Sequence, residues 1–105
     1  MRDLFLTRWP KWFTYASAPG CGWTPLLIDL CEKLEAVVGE DFHVLQVKEK
    51  FGTLRFYVYG ANEAARELIA EAEEASAKIC EVCGEPGFIR GGRWMKTLCE
   101  AHEKE

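Results

Sequence analysis

Between Leu26 and Val38 the apolar positions recur every three or four residues: Leu26, Leu27, Leu30, Cys31, Leu34, Val37 and Val38. Asp29, Glu32, Lys33 and Glu35 fill the intervening face, which is the pattern of an amphipathic helix. Thr24 is placed to cap it, Pro25 suits a first helical position because it has no amide hydrogen to leave unpaired, and Gly39 is a natural stop. Cys31 falls on the apolar stripe and reads as a small core residue. The period then shortens. Two β-rich runs, Phe42 to Lys48 and Thr53 to Tyr59, flank Glu49-Lys50-Phe51-Gly52 and predict an antiparallel hairpin. In the second run Leu54, Phe56 and Val58 share one face, and Arg55, Tyr57 and Tyr59 share the other. After Gly60-Ala61, Asn62 caps a second helix with a narrow stripe of Ala65, Leu68, Ile69, Ala72, Ala75 and Ile79. Its opposite face is acidic, carrying Glu63, Glu67, Glu71, Glu73 and Glu74, and reads as a solvated surface.

The ends of the chain follow other rules. Residues 1–23 hold no period and are rich in aromatics (Phe5, Trp9, Trp12, Phe13, Tyr15, Trp23) broken by Pro10, Pro19, Gly20 and Gly22. Two readings fit: a segment that wraps the domain and plugs its core, or an exposed aromatic patch for a partner. Trp9 and Trp12, with Arg55, Tyr57 and Tyr59 of the hairpin, are the candidate partner-binding residues. At the other end, a short hairpin from Gly87-Phe88-Ile89-Arg90 to Arg93-Trp94-Met95-Lys96 is expected to turn at Gly91-Gly92. The expectation is an α+β fold in one domain: an aromatic N-terminal segment (1–23), a helix-hairpin-helix core (24–79) and a small C-terminal module (80–105).

That module carries the most specific chemistry. Cys80-Glu81-Val82-Cys83 and Cys99-Glu100-Ala101-His102 form C-x2-C and C-x2-H pairs separated by fifteen residues. Ligands at that spacing turn around one ion, and Gly84 suits the tight knuckle in which backbone amides point at thiolate sulfur. Cys80, Cys83, Cys99 and His102 are therefore assigned as ligands of one structural zinc ion, which accepts three thiolates and an imidazole without a geometric preference of its own. Four protein ligands leave no position for water or substrate, so the expected role is folding and not catalysis.

Composition narrows the classes. Of 105 residues 49% are hydrophobic and 29% charged, an ordinary globular mixture. No apolar run is long enough for a membrane span, and the start does not read as a signal peptide. A cytoplasmic setting is expected, in which paired cysteines serve metals before disulfides. The formal charge of -4 argues against a protein that neutralises many phosphates overall. Residues 78–105 balance five cations against five glutamates. Nucleic-acid binding stays open locally, through Arg90, Arg93, Trp94 and Lys96, where cations would meet phosphate and the indole would stack. An enzyme is not expected: once His102 is a ligand only His43 remains, in a strand without a partnering acid, and Cys21 lacks a base.

Two resemblances extend this reading. Residues 79–104 resemble a zinc-knuckle or treble-clef module, a scaffold shared by nucleic-acid binders, protein-binding modules and nucleases, so the likeness implies no single function. Over nearly the whole chain, Arg8-Trp9-Pro10-Lys11, Cys21-Gly22-Trp23, Gln46-Val47-Lys48-Glu49-Lys50-Phe51-Gly52-Thr53-Leu54-Arg55-Phe56 and the two ligand pairs resemble a family of small uncharacterised proteins of bacteriophages and prophages. The chain departs from it near the start, where the family has a longer, Cys-bearing insertion and Gly-Asp-Gly-Trp in place of Gly20-Cys21-Gly22-Trp23. The resemblance implies a phage protein in the bacterial host cytoplasm. Such a protein is expected to bind a host protein or complex, as an inhibitor of a host enzyme or defence complex, with nucleic acid as the alternative partner.

Overall fold

The computed structural model describes residues 5, 7–13, 21–91 and 95–102, with nothing described of the Cys21 side chain. Tyr15 lies outside them. A 3-10 turn at Cys21–Trp23 runs directly into helix α1, Thr24–Glu35. Strands β1 (His43–Lys50) and β2 (Thr53–Tyr59) follow, then helix α2 (Glu63–Ser76), strands β3 (Phe88–Arg90) and β4 (Lys96–Leu98), and a 3-10 turn at Glu100–His102. The order is helix, antiparallel hairpin, helix and a C-terminal strand pair: the mixed α+β architecture expected.

Local chemistry accounts for most boundaries. Because the 3-10 turn is continuous with α1, Thr24 is already helical and Trp23 takes the cap position, which corrects the expected Thr24 cap. Pro25 sits in the first turn as predicted. The helix also ends at Glu35, before Val37 and Val38, which turn instead against the core. At α2 the Asn62 side chain accepts from the Ala65 amide at 2.8 Å, and its Nδ2 donates to the Val37 carbonyl at 2.6 Å. One asparagine thus caps one helix and ties down the exit of the other.

The β1–β2 hairpin is antiparallel and closes through Phe51 and Gly52, with Lys50 opposite Thr53. Both turn residues have positive φ, 54° and 85°, the mirror-image geometry that matches strand twist in two-residue loops. β1 therefore runs two residues further than the pattern suggests. A bulge at Leu45 shifts the register between Val44 and Gln46, after which Gln46 faces Tyr57, Val47 faces Phe56 and Lys48 faces Arg55. The inner face (Val44, Val47, Leu54, Phe56) packs under the two helices.

The free edge of β2 is covered by α2 in an unusual way. Leu54 N–H donates to Ser76 Oγ at 2.8 Å, and Phe56 N–H donates to Glu73 Oε2 at 2.9 Å. Helix side chains thus satisfy the amides that an edge strand would otherwise leave to water. Glu73, expected on the solvated acidic face, is half-buried for this reason, and Ser76 is fully buried.

One core unites the body: Phe5, Trp9, Phe13, Trp23, the α1 residues Leu27, Leu30, Cys31 and Leu34, the inner hairpin face, and Ala65, Ile69 and Ala72 of α2. Of the N-terminal aromatics, Phe5, Trp9, Phe13 and Trp23 are core plugs. Phe13 bridges Val44 in parallel, and the Val44 amide donates to the Trp12 carbonyl at 2.9 Å. Trp9 is 5% exposed, its Nε1 donating to Glu35, so it is a core anchor and not the exposed contact proposed for a partner. Trp12 is half-buried, edge-on against Phe42 at 4.8 Å. Burial pushes the Cys31 thiol up to about 12, with nearby Glu35 adding to the effect, so it stays protonated and unreactive.

Candidate metal centre

The centre is built on backbone geometry. α2 ends at Ser76, short of the expected Ile79, which instead bridges Pro86, and the chain turns back: the Gly84 amide donates to the Cys80 carbonyl at 2.9 Å, and the Cys80 amide to the Glu85 carbonyl at 2.8 Å. Gly84 has φ +85°, a conformation that lets the turn close after the second cysteine. This is the knuckle expected from C-x2-C-Gly. The strand pair follows in the register Phe88–Leu98, Ile89–Thr97 and Arg90–Lys96. The second strand begins at Lys96, later than the expected Arg93 to Lys96 run. Gly92, Arg93 and Trp94 lie outside the described residues. β4 delivers Cys99, and the 3-10 turn after it brings His102 back beside it.

The four ligand atoms of Cys80, Cys83, Cys99 and His102 all lie within 4.8 Å of one another. Cys83 Sγ is 3.6 Å from Cys99 Sγ, and His102 Nδ1 is 3.2 Å from Cys99 Sγ and 3.7 Å from Cys80 Sγ. A tetrahedral zinc ion with ordinary bond lengths requires edges of about 3.8 Å between sulfurs and about 3.6 Å between sulfur and nitrogen. The separations bracket those edges, and the sulfurs stand too far apart for a disulfide. The residues present therefore fit a single tetrahedral ion, and the cluster can hold a metal.

Electrostatics favours the anionic form that a metal needs at Cys80 and Cys99 but not at Cys83. Burial alone would push the Cys80 thiol up, but the amides of Cys99, Cys83 and Val82 point at its sulfur and bring it down to about 6. At Cys99 burial is likewise outweighed, chiefly by the His102 ring and the Cys83 thiol, and the thiol is lowered. At Cys83 the Glu85 amide pulls downward, yet burial and the bonds shared with Cys99 and Cys80 leave the thiol raised. Three thiols this close cannot all ionise without a cation between them.

Hydrogen bonds hold the module and the end of α2 against the rest of the body. The Gly22 amide donates to the Glu81 carbonyl at 3.0 Å, Trp23 Nε1 donates to the Ile79 carbonyl at 2.9 Å, and Thr97 Oγ1 donates to the Gly52 carbonyl at 2.6 Å. A Cβ on Gly22 would lie 2.0 Å from the Cys80 carbonyl oxygen, so only glycine allows this approach. Glu81 spans the junction, its amide donating to the Thr97 carbonyl at 3.0 Å. Burial raises its carboxyl pKa, and nearby Glu49 adds to the rise while Lys96 opposes it. Gly22, Gly52 and Thr97 carry no local pattern that marks them for this role, apart from a glycine set between Cys21 and Trp23.

Set against protein-family models, curated proteins and solved structures, the chain has no match. The site is therefore read from its own chemistry. Of the other candidate residues, Arg90 Nε donates to the Leu98 carbonyl at 3.3 Å and the guanidinium lies 5.3 Å from the Phe88 ring centre. Lys96 is exposed. The structure does not gather Arg55, Tyr57 and Tyr59 at the metal centre; they lie on the outer side of β2. His43 stacks on Tyr59, 5.0 Å between ring centres. No helix among the described residues is long and apolar enough to cross a membrane.

Proposed function

We propose that the chain is a small zinc-stabilised protein-interaction protein of phage type, whose partner is a host protein or complex in the bacterial cytoplasm. Zinc is the ion that best suits three thiolates and an imidazole at these separations. When bound it supplies folding free energy, since four protein ligands complete its tetrahedron. Cys80, Cys83, Cys99 and His102 hold it, and the amides of Val82, Cys83 and Cys99 stabilise the charge on Cys80. The reading includes no catalytic step: His102 is a ligand, and His43 is engaged with Tyr59.

The observation that carries the protein-partner reading is the apolar surface of the metal module. Val82, Phe88, Ile89 and Met95 are each more than 40% exposed, Phe88 reaching 67%. A module this small that leaves such side chains in water is suited to covering them with another protein. The alternative expected from the sequence, nucleic acid held by Arg90, Arg93, Trp94 and Lys96, is weakened at Arg90, which is engaged with its own hairpin.

The test is a pull-down of the zinc-loaded chain from bacterial lysate after nuclease treatment, beside the Phe88→Ser/Ile89→Ser double variant. A stoichiometric protein retained by the parent chain and lost by a variant of unchanged zinc content supports the reading. Equal capture by both, or none by either, contradicts it.

A further inference from the structure

The outer face of the β1–β2 hairpin carries a different chemistry. The register places His43 opposite Tyr59, Gln46 opposite Tyr57, Lys48 opposite Arg55 and Lys50 opposite Thr53, all on the side away from the helices. No Asp or Glu occupies any of these outward positions. Glu49, the one carboxylate within the strands, belongs to the inner side of the register and accepts from the Gly52 amide at 2.7 Å. The rings are exposed, Tyr59 at 59% with His43 stacked on it, Tyr57 at 40%, and Phe51 at the hairpin tip at 63%.

Cations accompany these rings. Lys48 Nζ lies 5.6 Å from the Tyr57 ring centre, and Lys50 Nζ lies 5.6 Å from that of Phe51. Phe51 supplies an independent sign of function. It holds φ +54° at the first turn position, where asparagine or glycine is the unstrained choice, yet its ring packs into no core. Apart from the Lys50 contact the ring stands open at the hairpin tip, where it is placed to meet a ligand.

We propose that this face is a platform for single-stranded nucleic acid, with Tyr57, Tyr59 and Phe51 stacking bases and Lys48, Lys50 and Arg55 meeting phosphates. Tyr57 and Tyr59 stand two residues apart on one strand, so their rings are about 7 Å apart and face the same way. Successive splayed bases can stack on such rings, whereas a duplex keeps its base faces occupied. The overall negative charge does not oppose this. The exposed Glu63, Glu67, Glu71 and Glu74 belong to α2, which lies along the edge of β2 with Ala65, Ile69 and Ala72 packed among the inner-face residues of the hairpin. The proposal goes beyond the protein-partner reading and uses a surface that reading leaves free.

The experiment is fluorescence anisotropy of the full zinc-loaded chain with short labelled oligo-dT, oligo-U and a duplex. Both single strands are expected to bind better than the duplex, and affinity should fall as salt rises from about 50 to about 200 mM. The log–log slope should be about -2 for three phosphate contacts at roughly -0.7 each. Tyr57→Ala and Tyr59→Ala should each weaken binding roughly 5- to 150-fold, while Tyr57→Phe retains it. Phe51→Gly should weaken binding and raise the melting temperature, because it removes a ring and relieves the turn. Phe88→Ser should leave oligonucleotide binding unchanged, which separates this proposal from the metal-module interface. Absence of binding at low salt would overturn it. So would a Tyr57→Ala/Tyr59→Ala variant that binds like the parent chain, or poly-glutamate binding as tightly as the oligonucleotides.

Discussion

The body and the metal module of this chain are stabilised by different means. Among the described residues the body buries sixteen in one continuous cluster, including Trp23, Leu34 and Leu54 at 0% exposure. Among the described residues the module's own buried apolar cluster consists of Cys80, Leu98 and Cys99, and two of those three belong to the candidate metal cluster. Apolar burial accounts for the first region. The second has almost none to draw on among the described residues, so what can hold it is a metal at the four-residue cluster together with the Gly22 amide and the Trp23 and Thr97 side-chain hydrogen bonds. A short chain can therefore carry a region too small to fold by burial, provided a cross-link and a docking surface are supplied.

The largest effect should come from taking the metal away. Chelation, or Cys80→Ser, should abolish hydrogen-exchange protection at the Cys80, Glu81 and Gly84 amides and lower the melting temperature by more than about 10 °C. Protection of the α1 and β1–β2 amides should persist. If the module's amides stay protected without metal, the two regions do not differ as described.

A body substitution should show the reverse. Leu34→Ala removes a fully buried side chain and should cost about 2–5 kcal/mol in denaturant unfolding while zinc content remains at one ion per chain. Loss of zinc in this variant under native conditions would mean that the module cannot stand apart from the core.

Ser76→Ala should have a smaller effect, about 1–3 kcal/mol, because it leaves the Leu54 amide without a partner at the buried edge of β2. The comparison with Ser76→Thr, which keeps the hydroxyl, separates the lost bond from a general packing change.

Near neutral pH the smallest contribution is that of Cys31. Its folded pKa is raised from 9.0 to about 12, so above pH 9 the unfolded chain loses this proton while the folded chain keeps it. The unfolded state then binds fewer protons, and stability should fall as pH rises from 9 towards 12. In Cys31→Ala that part of the alkaline slope should vanish, measured as the difference between the two chains' denaturant midpoints against pH.

Much of this was legible in the residues. The stripe of α1, the Asn62 cap, the alternation of Leu54, Phe56 and Val58, and the paired C-x2-C and C-x2-H spacings each reflect a local rule, and the structure reproduces them. What escaped was non-local. Ser76 and Glu73 look like ordinary helix-surface residues until β2 is laid against them. Leu45 gives no sign of a bulge in its own identity, yet the bulge brings Gln46 round to face Tyr57. Arg55 and the two tyrosines read as a face with one cation; only the register adds Lys48 and Lys50. Trp9 was ambiguous because an aromatic segment without a period reads equally as a plug or a patch. The site was legible because its ligands are close in sequence, whereas its attachment through Gly22, Gly52 and Thr97 depends on tertiary approach.

The central claim is that Cys80, Cys83, Cys99 and His102 hold one structural zinc ion. Native mass spectrometry of the purified chain, beside Cys99→Ser, measures this directly. The account predicts one zinc per chain in the parent protein and none retained by the variant. A folded parent chain that carries no zinc when zinc is supplied, or a Cys99→Ser chain that keeps its full complement, would contradict it.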